Sequence, residues 1–316
     1  MKPETPKALI YGPVPSRRLG YSLGLDILPF KTCSMDCVYC QLGAWGRTTV
    51  RRRDYVPVRA VLAQVRAALA SGVRIDAITF SGSGEPTLHA GIGRIIDGIK
   101  RMTAVPVVVL TNSSTLAGRA NGRDILRADI VVPSLDAVTD RVFAKVNRPH
   151  PGMSADRIVD GLVRFRRRFK GRIWLEVMLV RGVNDGPTHL RKLRQAIDRI
   201  QPDRVQINTV VRPPAEKSAR PLTAEELGRV RLLLGPRAEV IADFRREKQA
   251  APAPDASAAL LEALGRRPMT AADLARSLGL PAPEVADMTG RLKAAGRLRA
   301  VRHGGRVYYE RTAGSH

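Results

Sequence analysis

Long apolar runs are missing from this chain: nowhere in its 316 residues do eighteen apolar residues follow one another, as a membrane-spanning helix requires. The opening Met1-Lys2-Pro3-Glu4-Thr5-Pro6-Lys7 has no apolar secretion core ahead of Gly12-Pro13-Val14-Pro15. A soluble, cytoplasmic protein with no membrane contact is the expectation. Aromatic residues are scarce at 4%, and 29 Asp and Glu face 53 Lys and Arg, a net +24. Cysteine is scarcer still: Cys33, Cys37 and Cys40 lie within eight residues and no other occurs. An odd, clustered set in an unexported chain argues against a disulfide scaffold and for metal or redox chemistry. Collagen-like and low-complexity compositions are excluded, and at 44% hydrophobic the chain can bury a sizeable core.

The positive balance suits a polyanionic partner such as RNA or DNA. Arg supplies 43 of the 53 cations and Lys 10, a bias that GC-rich coding also leaves on solvated helix faces. Charge therefore tilts towards nucleic acid without deciding it.

Short apolar or β-branched runs at 22–28, 77–80, 106–110, 130–132, 173–180 and 204–210 read as buried strands of a parallel sheet. Helical patterns at 58–70, 89–102, 154–169 and 188–200 lie between them. The alternation predicts an α/β fold with helices covering the outer face of the sheet. Chemistry-bearing residues follow the strand ends: the cysteines, then Ser81-Gly82-Ser83-Gly84-Glu85-Pro86, Thr111-Asn112, Ser134 with Asp136, and Asn184. In a barrel-like α/β fold such positions converge on one mouth.

The pattern breaks at Arg245-Arg246-Glu247-Lys248-Gln249-Ala250-Ala251-Pro252-Ala253-Pro254, a stretch of linker character. Beyond it, helical spacing at 256–264, 270–278 and 283–295 precedes two alternating runs, 297–302 and 306–311, about His303-Gly304-Gly305. Thr270 suits a helix cap, and Leu280-Pro281-Ala282-Pro283 makes a turn before a recognition-type helix. Three helices and a hairpin resemble a winged helix-turn-helix, a module that binds DNA, docks proteins or clamps substrates. From Asp255 onward ten Arg and Lys face six Asp and Glu, so +20 of the net charge precedes this domain.

The cysteine spacing is C-x3-C-x2-C. Three thiolates on one loop suit a [4Fe–4S] cluster with one iron left open to a substrate or cofactor. Structural zinc needs a fourth ligand, and the nearest downstream histidine is His89. A Cys37/Cys40 dithiol leaves Cys33 idle.

This loop, with Tyr39 directly before its last cysteine, resembles the signature of the radical S-adenosylmethionine (SAM) superfamily. The resemblance implies a partial (β/α)6-type radical SAM barrel over residues 9–245, a linker at 246–255 and a small C-terminal winged helix-turn-helix domain at 256–316. It implies a [4Fe–4S] cluster on Cys33, Cys37 and Cys40. S-Adenosylmethionine would be cleaved reductively to a 5′-deoxyadenosyl radical, with electrons from a flavodoxin or ferredoxin. Gly82-Ser83-Gly84-Glu85 is similar to the family's Gly-Gly-Glu segment at the methionine amine, with Ser83 in place of the first glycine. Ser134 and Asp136 resemble its ribose and carboxylate contacts, the alternative for Asp136 being a helix cap near Thr139. Tyr39, Thr111, Asn112 and Asn184 complete the implied cofactor set. An Asx-type turn is the bland alternative for Thr111-Asn112 and Asn184. Backbone contacts from Ile207-Asn208-Thr209 to adenine rest on family analogy alone.

Tyr11-Gly12-Pro13-Val14-Pro15-Ser16-Arg17-Arg18-Leu19-Gly20 and Gln41-Leu42-Gly43 narrow the resemblance to a bacterial and archaeal group related to the wyosine tRNA synthases. Those enzymes carry further cysteines for a second cluster, which this chain lacks, so their ring formation is not carried over. Modification of RNA, tRNA first, is the leading expectation. Radical modification of a peptide or protein gripped by the winged helix is the second, and a cluster-sensing DNA regulator without SAM turnover the third. Arg17 and Arg18 suit a substrate phosphate or carboxylate, or else a structural ion pair. His89, His150 and His189 have no partner spacing that gives them a role. Met178 reads as core, and Tyr308 and Tyr309 read as wing packing or base stacking.

Overall fold

A computed structural model describes residues 8–16, 18–44, 46–118, 122–242 and 256–312. The expected linker and Arg17 lie outside them. Eight strands form one sheet in chain order: β1 (Ile10–Ser16), β2 (Gly20–Leu25), β3 (Ala77–Phe80), β4 (Val107–Thr111), β5 (Ile130–Pro133), β6 (Arg172–Leu179), β7 (Arg204–Thr209) and β8 (Ala238–Val240). Strands β2 to β8 run parallel, while β1 folds back antiparallel on β2.

The six strands read from sequence are present, and β1 and β8 are additions. Pro13 and Pro15 mask β1, because proline removes ladder donors and is tolerated chiefly at a sheet edge, where β1 lies. Strand β8 is three residues long, too short for an alternating pattern to stand out.

Crossover helices α1 (Val58–Ala70), α2 (Ile92–Met102), α4 (Ala155–Arg168), α5 (Pro187–Ile200) and α6 (Ala224–Leu234) pack on one face, with the short α3 (Asp140–Val146) after β5. Ile92, Ile95, Ile96 and Ile99 show why α2 sits there: three- and four-residue spacing makes one apolar stripe, fully buried against the sheet. Strand residues Ile78, Val109, Val131, Leu175 and Val205 meet these helices, while alternate residues point to the inner face. At the base of that inner face Leu19, from the β1–β2 turn, packs with Ala77, Val108, Ile130, Val132 and Trp174. Tyr11 crosses the same face over Gly24, where a Cβ would stand 2.1 Å from its ring.

The C-terminal domain has its own core of Leu260, Leu264, Leu274, Leu278, Val285, Met288 and Leu298. It comprises α7 (Ala256–Arg266), α8 (Ala271–Leu278), α9 (Ala282–Ala294) and the hairpin β9 (Leu298–His303) with β10 (Arg306–Arg311). Thr270 caps α8 in a reciprocal box with Asp273. The domain docks on the loop after β7: the Tyr308 hydroxyl donates to the Val211 carbonyl at 2.8 Å, and His303 Nε2 bonds the Val210 carbonyl at 3.2 Å. Tyr308 thus faces the barrel, whereas Tyr309 pairs through its backbone with Met269. No helix among the described residues is long and apolar enough to cross a membrane.

His89 has a structural task. Its buried ring accepts the Gly91 N–H at Nδ1 (3.0 Å) and donates from Nε2 to the Val56 carbonyl (2.9 Å), pinning the approach to α1 against the start of α2. Burial lowers its proton affinity from the ordinary 6.5, outweighing nearby Asp54. The unfolded chain therefore takes up the proton first, and the histidine's share of stability is lost as pH falls below that value. Chemical denaturation between neutral and mildly acidic pH should show this loss. His89→Ala should cost about 2 kcal/mol at neutral pH and flatten the acid limb, leaving the part due to His189, which burial also lowers.

Candidate active site

All three cysteines lie on the loop leaving β2. Lys31 turns the chain there through left-handed φ (54°) and is almost wholly buried. Its Nζ pairs with Asp36 Oδ1 at 2.8 Å and donates to the Gly43 carbonyl. Asp36 Oδ2 accepts the Gly46 N–H, and the Asp36 N–H bonds the carbonyls of Asn147 and Arg148 beyond α3. A buried ion pair therefore braces the loop from inside while α3 holds it from outside.

Two of the sulfurs meet an amide donor from another segment, and the third faces the loop's own Lys31. Asn112 Nδ2 lies 3.4 Å from Cys33 Sγ and Asn147 Nδ2 lies 3.5 Å from Cys37 Sγ, while the Lys31 ammonium stands near enough to Cys40 to be raised by its charge. Burial and then the Glu85 charge push the Cys33 thiol up to about 12; burial and then Asp136 raise Cys37 as well. Burial would depress the Lys31 ammonium, but the Cys40 and Asp36 charges outweigh it and hold it raised. The Cys33 and Cys37 thiols are thus protonated unless a cation draws their electrons, as a bound metal does. Three sulfurs on one loop, two of them offered an amide N–H and the third close to an ammonium, form a donor set that fits an iron–sulfur cluster, whose ligand sulfurs accept such bonds. Among the described residues no set of three or more His, Cys, Asp and Glu groups could hold a single metal ion.

The segment after β3 is built around two close approaches. Gly82 has φ +132°, and a Cβ there would stand 2.6 Å from Asp26 Cγ. Ser83 bonds Asp26 twice, from its N–H (3.0 Å) and its hydroxyl (2.6 Å), so the serine ties β3 to the end of β2. At Gly84 a Cβ would lie 1.9 Å from the Thr32 carbonyl oxygen, which accepts the Glu85 N–H at 3.0 Å. Glu85 is buried, and burial raises its proton affinity against the bonds it accepts. Those come from the Thr87 N–H (3.1 Å), the Thr111 hydroxyl (2.7 Å) and the Asn112 N–H (2.6 Å). Glu85 and Thr111 thus fix the loop after β4 on which Asn112 reaches Cys33.

A cleft lined by Met35, Tyr39, Asn112, Ser134, Asp136 and Asn147 joins four residues expected at the cofactor. The Asp136 carboxylate is fully engaged: the Tyr39 hydroxyl and Asn147 Nδ2 (2.7 Å) donate to Oδ2, and the Met178 N–H donates to Oδ1 at 2.9 Å. Burial lifts its pKa to about 6 despite these donors. It does not cap the helix at Thr139. Asn184 is buried with its amide shared among Val180 N–H, Asp136 O and Met178 O, so it secures the end of β6. Met178 is half-buried and faces inward, not into the main core. Ser134 differs from its neighbours: its hydroxyl makes no hydrogen bond among the described residues. A larger cavity, about 250 Å³, lies outside this cleft between Arg52, Thr87, Ser114 and Asp124 and is lined by none of the cysteines.

Lys31 and Asn147 are absent from the sequence-based site. A buried-ion-pair signal existed for Lys31, five residues before Asp36; Asn147 reaches Cys37 across 110 residues and left no local signal.

Residues 27–193 match the model of the Radical SAM superfamily, and residues 245–302 match that of the DprA winged helix domain. The chain belongs to the radical SAM superfamily and is an enzyme of that class. It is 33% identical over 224 residues to a UPF0026 protein of Methanocaldococcus jannaschii, covering 70% of each chain. It is 42% identical over 218 residues to the GTPase Obg of Brachyspira hyodysenteriae, covering 69% of this chain and only 32% of that one. A probable dual-specificity RNA methyltransferase RlmN of a Thermotoga species is 26% identical over 230 residues, covering 68% of this chain and 62% of the relative. Among solved structures, Streptococcus suis SuiB bound to S-adenosylmethionine superposes with a TM-score of 0.50 at 14% identity. That match covers 69% of this chain and 49% of SuiB and is a likeness of fold.

The contact at Gly84 has backbone on both sides and no flexible side chain to yield. Gly84→Ala should cost about 2 kcal/mol or more and displace the cysteine loop. Thermal melts and iron retained after anaerobic reconstitution would check this. Ser83→Ala, which removes one bond to Asp26, should cost only about 1 kcal/mol and retain iron.

Proposed function

We propose that this enzyme holds one [4Fe–4S] cluster on Cys33, Cys37 and Cys40, binds S-adenosylmethionine at its open iron, and modifies RNA, with tRNA the first candidate. The observation that carries the reading is the convergence on one loop of three sulfurs, two of them met by amide donors from separate elements, Asn112 and Asn147, with the loop's own Lys31 beside the third. When bound, cluster and cofactor supply one-electron cleavage of the sulfonium to a 5′-deoxyadenosyl radical. The chain's part is to hold and orient. Tyr39, fixed by Asp136, walls the cleft. Ser134 offers its unbonded hydroxyl to the ribose or carboxylate, and Gly84 brings backbone near the methionine amine. Asp136, Asn184 and Glu85 act through the groups they position.

RNA is favoured over protein as substrate by the similarity to RlmN proteins and by the charge of the mouth. Asp54, Glu216 and Glu226 are paired there with Arg94, Arg148 and Arg181, and Asp140 and Asp185 accept the backbone N–H groups of Ala155 and Gly182. Arg47, Arg51, Arg141, Lys145, Lys217 and Arg220 are exposed there with no carboxylate partner among the described residues. Such a surplus attracts a phosphate backbone. The DNA-regulator alternative meets an obstacle in α9, whose exposed face carries Glu284 and Asp287 near its start, where a recognition helix approaches phosphates and bases.

Cys37→Ala should abolish 5′-deoxyadenosine formation after anaerobic reconstitution, and turnover at the wild-type rate would overturn the cluster assignment. Deletion of the gene should remove one modified nucleoside from total tRNA; an unchanged nucleoside profile with a mass shift on one protein would select the peptide reading instead. Amide donors stabilise the more negative, reduced cluster. Asn147→Ala and Asn112→Ala should each lower its midpoint potential, measured by EPR-monitored titration without S-adenosylmethionine.

A further inference from the structure

Arg18 stands on the turn between β1 and β2, and its side chain reaches across the inner face of the sheet. On β6 and β7, Trp174, Glu176 and Gln206 occupy that face, opposite to the helix-facing Leu175 and Val205. Arg18 Nη1 donates to Glu176 Oε2 at 2.7 Å and to Gln206 Oε1 at 2.6 Å. Gln206 is almost wholly buried and is anchored in turn by Glu239 at 3.0 Å. The guanidinium is therefore held by one corner, in a plane set by two strands.

Its other edge is open. The Nε and Nη2 donors make no hydrogen bond among the described residues, and the side chain keeps 21% of its exposure. Two parallel N–H groups on one edge of a planar cation match two oxygens of a phosphate or carboxylate. The height of this edge is also set. Ser134 bridges Glu176, and Glu176 pairs in register with Gln206, so Arg18 is held in the strand layer of Ser134. The apolar floor made by Leu19, Val108 and Trp174 shares this inner face.

We propose that Arg18 is a substrate-binding residue whose open edge receives a phosphate of the RNA, with Glu176 and Gln206 as its positioning residues. This rests on the RNA reading above. Glu176 offsets the Arg18 charge, so recognition depends on the forked geometry more than on net charge. A lysine at this position retains the charge without the fork.

The test uses the full chain, cluster-loaded and with S-adenosylmethionine present, in enough salt to screen the surface arginines. Calorimetric titrations compare uridine, uridine 5′-monophosphate and succinate. The monophosphate should bind about tenfold more tightly than uridine, and Arg18→Lys should cut that advantage to about threefold or less. Glu176→Gln, which loosens the anchor without touching the fork, should reduce it by an intermediate factor. The proposal fails if wild type shows no phosphate advantage, if the advantage survives in Arg18→Lys, or if succinate binds as tightly as the monophosphate. It also fails if Arg18→Lys weakens S-adenosylmethionine and not the nucleotide, which would give the fork to the cofactor. Absence of S-adenosylmethionine cleavage by wild type would count against the enzyme reading, whatever the nucleotide titrations show.

Discussion

One backbone contact organises this site: the Thr32 carbonyl lies against Gly84 and accepts the Glu85 N–H. It couples the cysteine loop to β3 at a distance only a residue without a Cβ allows. Glu85 then extends the coupling to β4, because its carboxylate binds Thr111 and the Asn112 amide, and Asn112 carries it back to Cys33. The path closes on itself through three strand ends. A second path leaves Cys37 through Asn147 to Asp136 and reaches β6 at Met178 and Asn184. The Tyr39 hydroxyl, bonded to Asp136, returns this second path to the loop, which is thus held by two circuits of bonds.

That arrangement gives the glutamate and aspartate a different meaning from the one their positions suggest. Read along the chain, Glu85 and Asp136 stand where a ligand's amine or hydroxyls are expected. In space their oxygens already accept protein donors, and both lie in surroundings that penalise the charged form. Burying a carboxylate is tolerable only when donors surround it; here those donors are the backbone and side chains of the loops that must stay in register.

The cysteine spacing, the alternation of strands and helices and the Thr270 cap were legible because each is carried by neighbours in sequence. Strand β1 was not, because its prolines suppress the signal that its edge position permits. Asn147 was hidden for another reason: an asparagine just past α3 reads as an ordinary helix end, and only the fold brings it to Cys37. Ser83 was read as a departure from a glycine pattern, yet its hydroxyl bonds Asp26, so the substitution adds a tie to β2. Local patterns announce elements; the partners of a buried polar group are set by topology.

Topology also explains where the winged helix is held. Val210, Val211 and Arg212 directly follow β7, at the end of the sheet where the cysteines lie, and the first two carry the contacts to His303 and Tyr308. Arg212 is buried, and its charge helps keep the Asp273 carboxyl ionised against the burial that opposes it. The same carboxylate closes the capping box of α8 and pairs with Arg276. A residue of the barrel thereby supports the first helix of the helix-turn-helix. Without the Arg212 cation the Asp273 carboxylate would be left to Arg276 and the Thr270 N–H. The winged helix is thus fixed to the loop after β7 by specific bonds in addition to its covalent connection.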